Sequence, residues 1–167
     1  MFFSAPASFI TAAVSGTAGL YSLTHARSIR EVPLAGIPLL FAIQQAIEGA
    51  LWLSLKQGQS SCTTEAHGYL AFAYILWPVY APVAVFLVEP DKHLRKTMEF
   101  CTALGAFAAA YASTWVFQSS LPRQAGLHIV YAGDPLQTTL FKASYVLSVG
   151  LSLKDRKSTR LNSSHTD

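Results

Sequence analysis

Long uncharged stretches alternate with short charged segments along the chain. No Asp, Glu, Lys or Arg occurs from Met1 to Ala26, between Glu65 and Glu89, or between Glu99 and Arg123. A helix on the surface of a soluble protein keeps one polar face, and these stretches have no charged face at all. The pattern therefore predicts helices that cross a membrane.

Four uncharged or nearly uncharged segments approach the length needed to cross a hydrocarbon core of ~30 Å at ~1.5 Å rise per residue. A fifth begins near Thr139, but only residues 143–153 follow Lys142 before the next charge, which is too short to span. We predict an all-α polytopic transmembrane helix bundle with four full spans and a truncated fifth. The four segments are Pro6–Thr24, Pro33–Leu55, Gly68–Val88 and Met98–Phe117.

The first segment has the apolar character of a signal peptide as well as of a span. Residues 1–5 lack the Lys or Arg that signal peptides normally carry, so we favour a retained span. Ala12, Ser15, Gly16 and Gly19 place small residues on its faces, which allows close contact with another helix.

The end of the chain differs sharply from the rest. From Ser158 the sequence turns polar and resembles translated sequencing-adapter sequence, with a natural basic tail as the alternative. We expect residues 155–167 to be a non-native tail and residues 1–154 to be one transmembrane domain whose natural sequence continues.

Composition and charge agree with a membrane location. The chain is 51% hydrophobic, and its 13% of charged residues is about half of what soluble domains contain. The first and third predicted loops hold five basic residues and the second and fourth hold two, which places the first and third in the cytoplasm and the N-terminus outside. The net charge of +3 lies in these short loops, so we expect a lipid bilayer as partner and no nucleic acid. The basic residues are Arg27, Arg30, Lys92, Arg95 and Lys96 on the predicted inner side, and Lys56 and Arg123 on the outer side.

Glu48 lies inside the second predicted span, where even insertion scales assign an acidic side chain a cost of about 2.5–3.5 kcal/mol. Gln44 and Gln45 lie one turn before it and Trp52 one turn after, so the four side chains share one side of the helix. Two interpretations are open. The stripe is a ligand, proton or cation site in the outer half of the bundle, or Glu48 joins helices through glutamine partners.

The third predicted span contains Pro78 and Pro82, which each lack a backbone donor and should kink the helix. A proline-broken helix exposes backbone carbonyls to a cavity in many transporters, and Trp77 and Tyr80 would then belong to the candidate site. The alternative is a bent helix that packs against its neighbours.

The fourth predicted loop, residues 118–138, is long for a helix connection. It contains His128 and Asp134, and Glu65 and His67 lie on the same predicted side. Carboxylate and imidazole groups bind transition metals, but no HExxH or HxxxH spacing occurs. We therefore predict no metal and keep His128 as a candidate ligand-binding residue.

Cys62 and Cys101 fall on opposite sides of the predicted bundle, which excludes a disulfide between them. The sequence contains no P-loop, G-x-G-x-x-G, G-x-S-x-G or C-x-x-C motif. It therefore predicts no cofactor and argues against an enzyme, and it leaves the oligomeric state open.

Four segments of the chain carry distinctive motifs: Met1–Phe9, Ile37–Gly49, Leu76–Tyr80 and His128–Tyr131. They resemble a bacterial family of multi-pass membrane proteins known only as a domain of unknown function. The family motifs are the opening Met-Cys-Phe-Ser-x-x-Ala-Ser-Phe, then Gln-Gln-x-x-Glu-Gly, Trp-Pro-x-Tyr and His-Ile-Val-Tyr. The resemblance reaches about Leu153, implies a bacterial inner-membrane location and about seven helices in the complete protein, and brings no activity with it. Phe2 replaces the cysteine common in the family, so no role of that thiol applies here.

Three classes of function follow from these observations. A transporter, channel or sensor that binds or moves a small molecule or ion around Glu48 is favoured by the polar stripe and the proline-broken helix. A membrane scaffold or interaction protein without a ligand site is the alternative, supported by the small-residue faces. A metal-dependent intramembrane hydrolase would use Glu48, His67 and His128.

Overall fold

A computed structural model describes residues 4–57, 63–117, 123–125 and 128–130, together with residues 139 and 143. This part of the chain is helical apart from one short pair of strands. The helices are α1 (Ala5–Thr24), α2 (Val32–Ala35), α3 (Ile37–Lys56), α4 (Thr63–Ala71), a π-helical segment (Phe72–Leu76), α5 (Trp77–Val88) and α6 (Lys92–Val116). The strands are β1 (Arg123–Ala125) and β2 (His128–Val130).

The helices begin where the sequence supplies capping groups and prolines. The Ser4 hydroxyl accepts a hydrogen bond from the Ala7 amide at the start of α1, and Asp91 Oδ1 accepts bonds from the amides of His93 and Leu94 at the start of α6. A proline stands in the first turn of both α2 and α3, which separates the predicted second span into two helices at Gly36.

Helices α1 and α3 pack against each other in antiparallel directions. Gly19, near the end of α1, lies against Leu39 at the start of α3, and Phe9 covers Gly49 near the end of α3. At the far end of the pair, Ala5 joins a buried cluster with Trp52. The close approach agrees with the small-residue face predicted for the first span.

The predicted third span is a single helical path through α4, the π-helical segment and α5. Its start lies against the later part of α3, since Gly68 faces Ile47, and its end returns to α2, where the Tyr80 hydroxyl donates to the Pro33 carbonyl at 2.9 Å. The Trp77 amide donates to Phe72 five residues earlier, and this wider turn brings the chain to Pro78. The irregularity in this path is the π-helical segment before Pro78, and the kink predicted at Pro78 and Pro82 stays a prediction.

Helix α6 packs against the third helical path and runs in the opposite direction. Leu70 of α4 is buried with Ala112 and Val116 near the end of α6, and Gly105 lies against Pro78. The order across the bundle is α1, α3, the α4–α5 path and α6, each antiparallel to the one before. The first and third loops therefore meet at one end of the bundle.

Two of the helices in the described residues are long and apolar enough to cross a membrane. They are Val32–Lys56 and Thr64–Val88, with mean hydropathies of 1.4 and 1.9. This result rests on helix length and composition alone, and the core helices of some soluble proteins meet the same criteria. The predicted fifth span lies outside the described residues except for Thr139 and Ala143, which are both helical.

The fourth predicted loop contains structure that the sequence pattern did not predict. Strands β1 and β2 pair in antiparallel register, with Arg123 opposite Val130 and Ala125 opposite His128. Ile129 and Val130 are β-branched and favour strands, but a run of three residues is too short to show a period of two.

Polar side chains are buried in this bundle while large apolar ones face outward. Ser8, Gln44, Gln45, Glu48 and Ser54 are all buried. Monomeric soluble proteins rarely expose contiguous apolar surface, and their buried polar groups are few. The outward apolar side chains include Phe9, Ile10, Val14, Leu20, Tyr21, Ile43, Leu53, Phe100, Phe107 and Phe117.

Candidate functional site

The polar stripe predicted on the second span lies in the interior of the bundle. Gln44, Gln45 and Glu48 are 6%, 3% and 0% exposed, and Trp52 is 1% exposed. Their spacing of three and four residues places them along one side of α3, which is held between α1 and the α4–α5 path. Glu48 thus points into the protein, as the sequence predicted.

Gln44 is joined to the third helical path by a short hydrogen bond. The Trp77 indole Nε1 donates to Gln44 Oε1 at 2.6 Å, so the aromatic residue before Pro78 reaches the polar stripe on α3. Tyr80 meets the edge of the Trp77 ring, with centroids 6.3 Å apart, but its hydroxyl bonds to Pro33. Trp77 therefore belongs to the candidate site, and Tyr80 connects α5 to α2 beside it.

Among the buried polar atoms without a hydrogen-bond partner in the described residues are three on α1 and α3. They are Ser8 Oγ on α1 and Gln45 Oε1 and Trp52 Nε1 on α3. Buried polar groups of this kind usually bind ordered water or another polar molecule. The amide oxygen can accept a hydrogen bond, the indole N–H can donate one, and the hydroxyl can do both.

Tyr69 is a member of the site that sequence reasoning missed. The Tyr69 hydroxyl on α4 lies within electrostatic range of the Glu48 carboxylate on α3. The sequence could have indicated Tyr69 by its position near the start of the third predicted span. An antiparallel hairpin of the second and third spans places the first turns of one at the level of the last turns of the other.

Ser8 was missed for a related reason. It lies in an uncharged helix that contains several hydroxyl residues, and nothing in the sequence distinguishes it from Ser15 or Ser22. Only the antiparallel packing of α1 on α3 makes Ser8 the completely buried one.

Glu65 and His67, which the sequence suggested as possible metal ligands, contact residues outside this stripe. The Ser54 hydroxyl donates to Glu65 Oε1 at 3.2 Å, and the His67 ring meets the edge of Phe117 with centroids 5.8 Å apart. Within residues 4–57 and 63–117 and the short described segments beyond, no group of three or more His, Cys, Asp or Glu side chains is placed to hold a metal. His128 is described only as a backbone position in β2, so its place in the site stays a prediction.

The family of unknown function DUF6629 matches residues 1–161. The chain belongs to this family. No curated protein and no solved structure is significantly similar to this DUF6629 member. The family is one of unknown function, so it assigns no activity to the buried side chains of this bundle.

The hydrogen bond between Trp77 and Gln44 gives a direct test of the arrangement. Trp77→Phe should lower the free energy of unfolding by about 1 kcal/mol, because it removes the donor and leaves the Gln44 oxygen buried. Thermal unfolding in detergent would measure the change. In a Gln44→Leu background the same substitution should have little further effect, and full additivity of the two changes would contradict the contact.

Proposed function

We propose that this DUF6629 protein is a multi-pass integral membrane protein that binds or moves a small molecule or ion through the polar site around Glu48. The observation that carries the proposal is the completely buried Glu48, with buried Gln44 and Gln45 beside it and the Tyr69 hydroxyl within electrostatic range. Ionisable groups inside a membrane bundle are costly and usually mark a ligand, ion or proton pathway.

The membrane placement is supported by the distribution of apolar surface. Ile10 and Val14 on α1 are 65% and 66% exposed, and Phe100 and Phe107 on α6 are each 66% exposed. Helices α1 and α6 are the outermost helices of the bundle. In a membrane, lipid hydrocarbon would surround these apolar side chains, which would otherwise be exposed to water. We therefore assign α1, α2 with α3, the α4–α5 path and α6 to four spans.

The orientation is supported by where the loops lie. The first loop, with Arg27 and Arg30, and the start of α6, with Lys92, Arg95 and Lys96, lie at one end of the bundle. Basic residues accumulate on the cytoplasmic side of membrane proteins. We assign this end to the cytoplasm, the N-terminus to the outside, and the protein to the bacterial inner membrane.

The chemistry of the site fits a small polar or cationic ligand. The carboxylate of Glu48 supplies an acceptor or a negative charge, and the amide of Gln45 and the indole of Trp52 supply both an acceptor and a donor. Proton binding to Glu48 would remove its charge and change the affinity for a cation. The site is thus suited to proton-coupled binding or movement of such a ligand.

Glu48→Gln tests the proposal, since it removes the charge and nearly preserves the shape. We expect a co-purifying small molecule to be lost, or proton-coupled flux in vesicles to fall about tenfold or more. Glu65→Gln is the matched control. Glu65 is a carboxylate at the start of α4 that accepts a hydrogen bond from Ser54, and it lies outside the stripe. Equal ligand retention and flux in both variants would contradict the proposal.

A scaffold without a ligand site is the second candidate, and the close glycine contacts of α1 with α3 favour it. It predicts that Glu48→Gln changes only thermal stability. A metal-dependent hydrolase predicts instead that the purified protein contains zinc, which is lost on His128→Ala.

A further inference from the structure

A cleft separate from the Glu48 site lies at the end of the bundle where the first and third loops meet. It has a volume of about 440 Å³ and is lined by Ser28, Arg30 and Glu31 from the first loop and by Glu89 and Arg95 around the third. Clefts of roughly 300–1,000 Å³ are the usual size of small-ligand sites. In the proposed membrane placement, this end lies at the level of the lipid headgroups.

The cleft brings together charges of both signs. Glu89 is a carboxylate only 8% exposed, whereas Arg30 and Arg95 are exposed. Glu31 and Glu89 each accept one backbone hydrogen bond, from Arg27 and Asp91 respectively. Each carboxylate group can accept further hydrogen bonds, because its two oxygens offer about four acceptor positions.

The guanidinium groups of Arg30 and Arg95 are also available to bind a ligand. Arg95 lies over the Phe86 ring at 4.7 Å, which orients its guanidinium group, and within the described residues neither Arg30 nor Arg95 forms a salt bridge. Asp91 does not line the cleft and instead caps the start of α6. The backbone amides of His93 and Leu94 donate to its Oδ1, and these bonds hold the pKa of the Asp91 carboxyl below its ordinary value.

We propose that this cleft binds the zwitterionic phosphoethanolamine headgroup of a membrane lipid. Arg30 and Arg95 would bind the phosphate, for which the planar guanidinium group is well matched. Glu31 and Glu89 would accept hydrogen bonds from the primary ammonium group. A lining of two cations and two anions complements a zwitterion better than it complements an anion or a cation alone.

The charge pattern predicts a specific lipid preference. A choline headgroup has no N–H to donate to Glu89 and Glu31, and a glycerol headgroup has no positive charge to offset the two carboxylates. We therefore expect phosphatidylethanolamine to bind about tenfold more tightly than phosphatidylcholine or phosphatidylglycerol of the same chain length.

The experiment measures lipid binding to the purified protein in detergent by native mass spectrometry with short-chain lipids of the three headgroups. Arg95→Gln, Arg30→Gln and Glu89→Gln should each weaken phosphatidylethanolamine binding about tenfold. Glu89→Gln should also abolish the discrimination against phosphatidylglycerol. Arg27→Gln is the matched control, because Arg27 lies in the same loop and only its backbone amide contacts Glu31.

Several outcomes would overturn the proposal. Equal binding of all three lipids would do so, as would tighter binding of phosphatidylglycerol or an equal loss in Arg27→Gln. Competition with soluble glycerophosphoethanolamine distinguishes binding of a lipid headgroup from binding of a free soluble zwitterion. Weak competition supports a lipid site, whereas affinity equal to that of the lipid would assign the cleft to a soluble zwitterion. The proposal rests on the membrane placement alone, so Glu48→Gln should bind the lipid normally.

Discussion

Gly105→Ala should lower the free energy of unfolding by about 3 kcal/mol, because the bundle has no room for a methyl group there. An added Cβ would overlap the carbonyl oxygen of Pro78 and come within 2.6 Å of its carbon. These are backbone atoms, so α5 and α6 would have to separate. The residue that would donate to the Pro78 carbonyl in a regular α-helix is Pro82, which has no N–H, and Gly105 leaves space for that carbonyl between the helices.

Thermal unfolding in detergent would measure this effect, and Gly68→Ala is the matched control. A Cβ at Gly68 meets only the Ile47 side chain, at 3.5 and 3.8 Å, which is ordinary van der Waals contact. Alanine is also the better helix former, so Gly68→Ala should be neutral or stabilising by up to about 1 kcal/mol. Equal stability of the two variants would show that α5 and α6 do not meet at Gly105.

Gly19→Ala should destabilise the contact between α1 and α3 by about 2–3 kcal/mol. Its Cβ would lie 2.6 Å from the amide nitrogen of Leu39 and 2.9 Å from the Leu39 Cα, in the first turn of α3. Leu39 cannot move aside on its own, because the nearest atoms that the methyl group would meet belong to the main chain of α3. Helix α1 would have to shift away from α3, and this shift would also disturb the contact of Phe9 with Gly49 further along the same interface.

Gly16→Ala provides the comparison within the same helix. A Cβ at this position lies 3.6 Å from the Ala42 Cβ, so the methyl group fits. The two variants differ by one turn of α1, and the unfolding temperature should fall only for Gly19→Ala. If Gly16→Ala were the more damaging change, the register of α1 on α3 would be wrong.

The helices could be predicted from the sequence because their signal is long and repeated. Stretches without charge gave the positions of α1, α3, the α4–α5 path and α6, and their boundaries shifted mainly where Asp91 and the first-turn prolines set the helix starts. Glu48 and its glutamines stood out for the same reason. A polar residue in a long apolar segment is visible without knowing what it contacts.

Other parts of the site depend on contacts between helices. Tyr69 and Ser8 have no periodic signal in the sequence, and their place near the stripe follows from the antiparallel packing of α4 and α1 on α3. The π-helical segment that ends before Pro78 has no sequence pattern of its own, and the short β1–β2 pair falls below the length at which a pattern can be recognised. The role of His128 stays a prediction.

Cysteine accessibility in intact cells tests the central claim, a membrane-embedded bundle with its N-terminus outside, most directly. In a background without Cys62 and Cys101, single cysteines would replace Ser28 in the first loop and Thr64 at the start of α4, two exposed positions at opposite ends of the bundle. A membrane-impermeant maleimide should label Thr64→Cys from outside and reach Ser28→Cys only after the membrane is opened. Labelling of Ser28→Cys from outside, or equal labelling of both, would contradict the account.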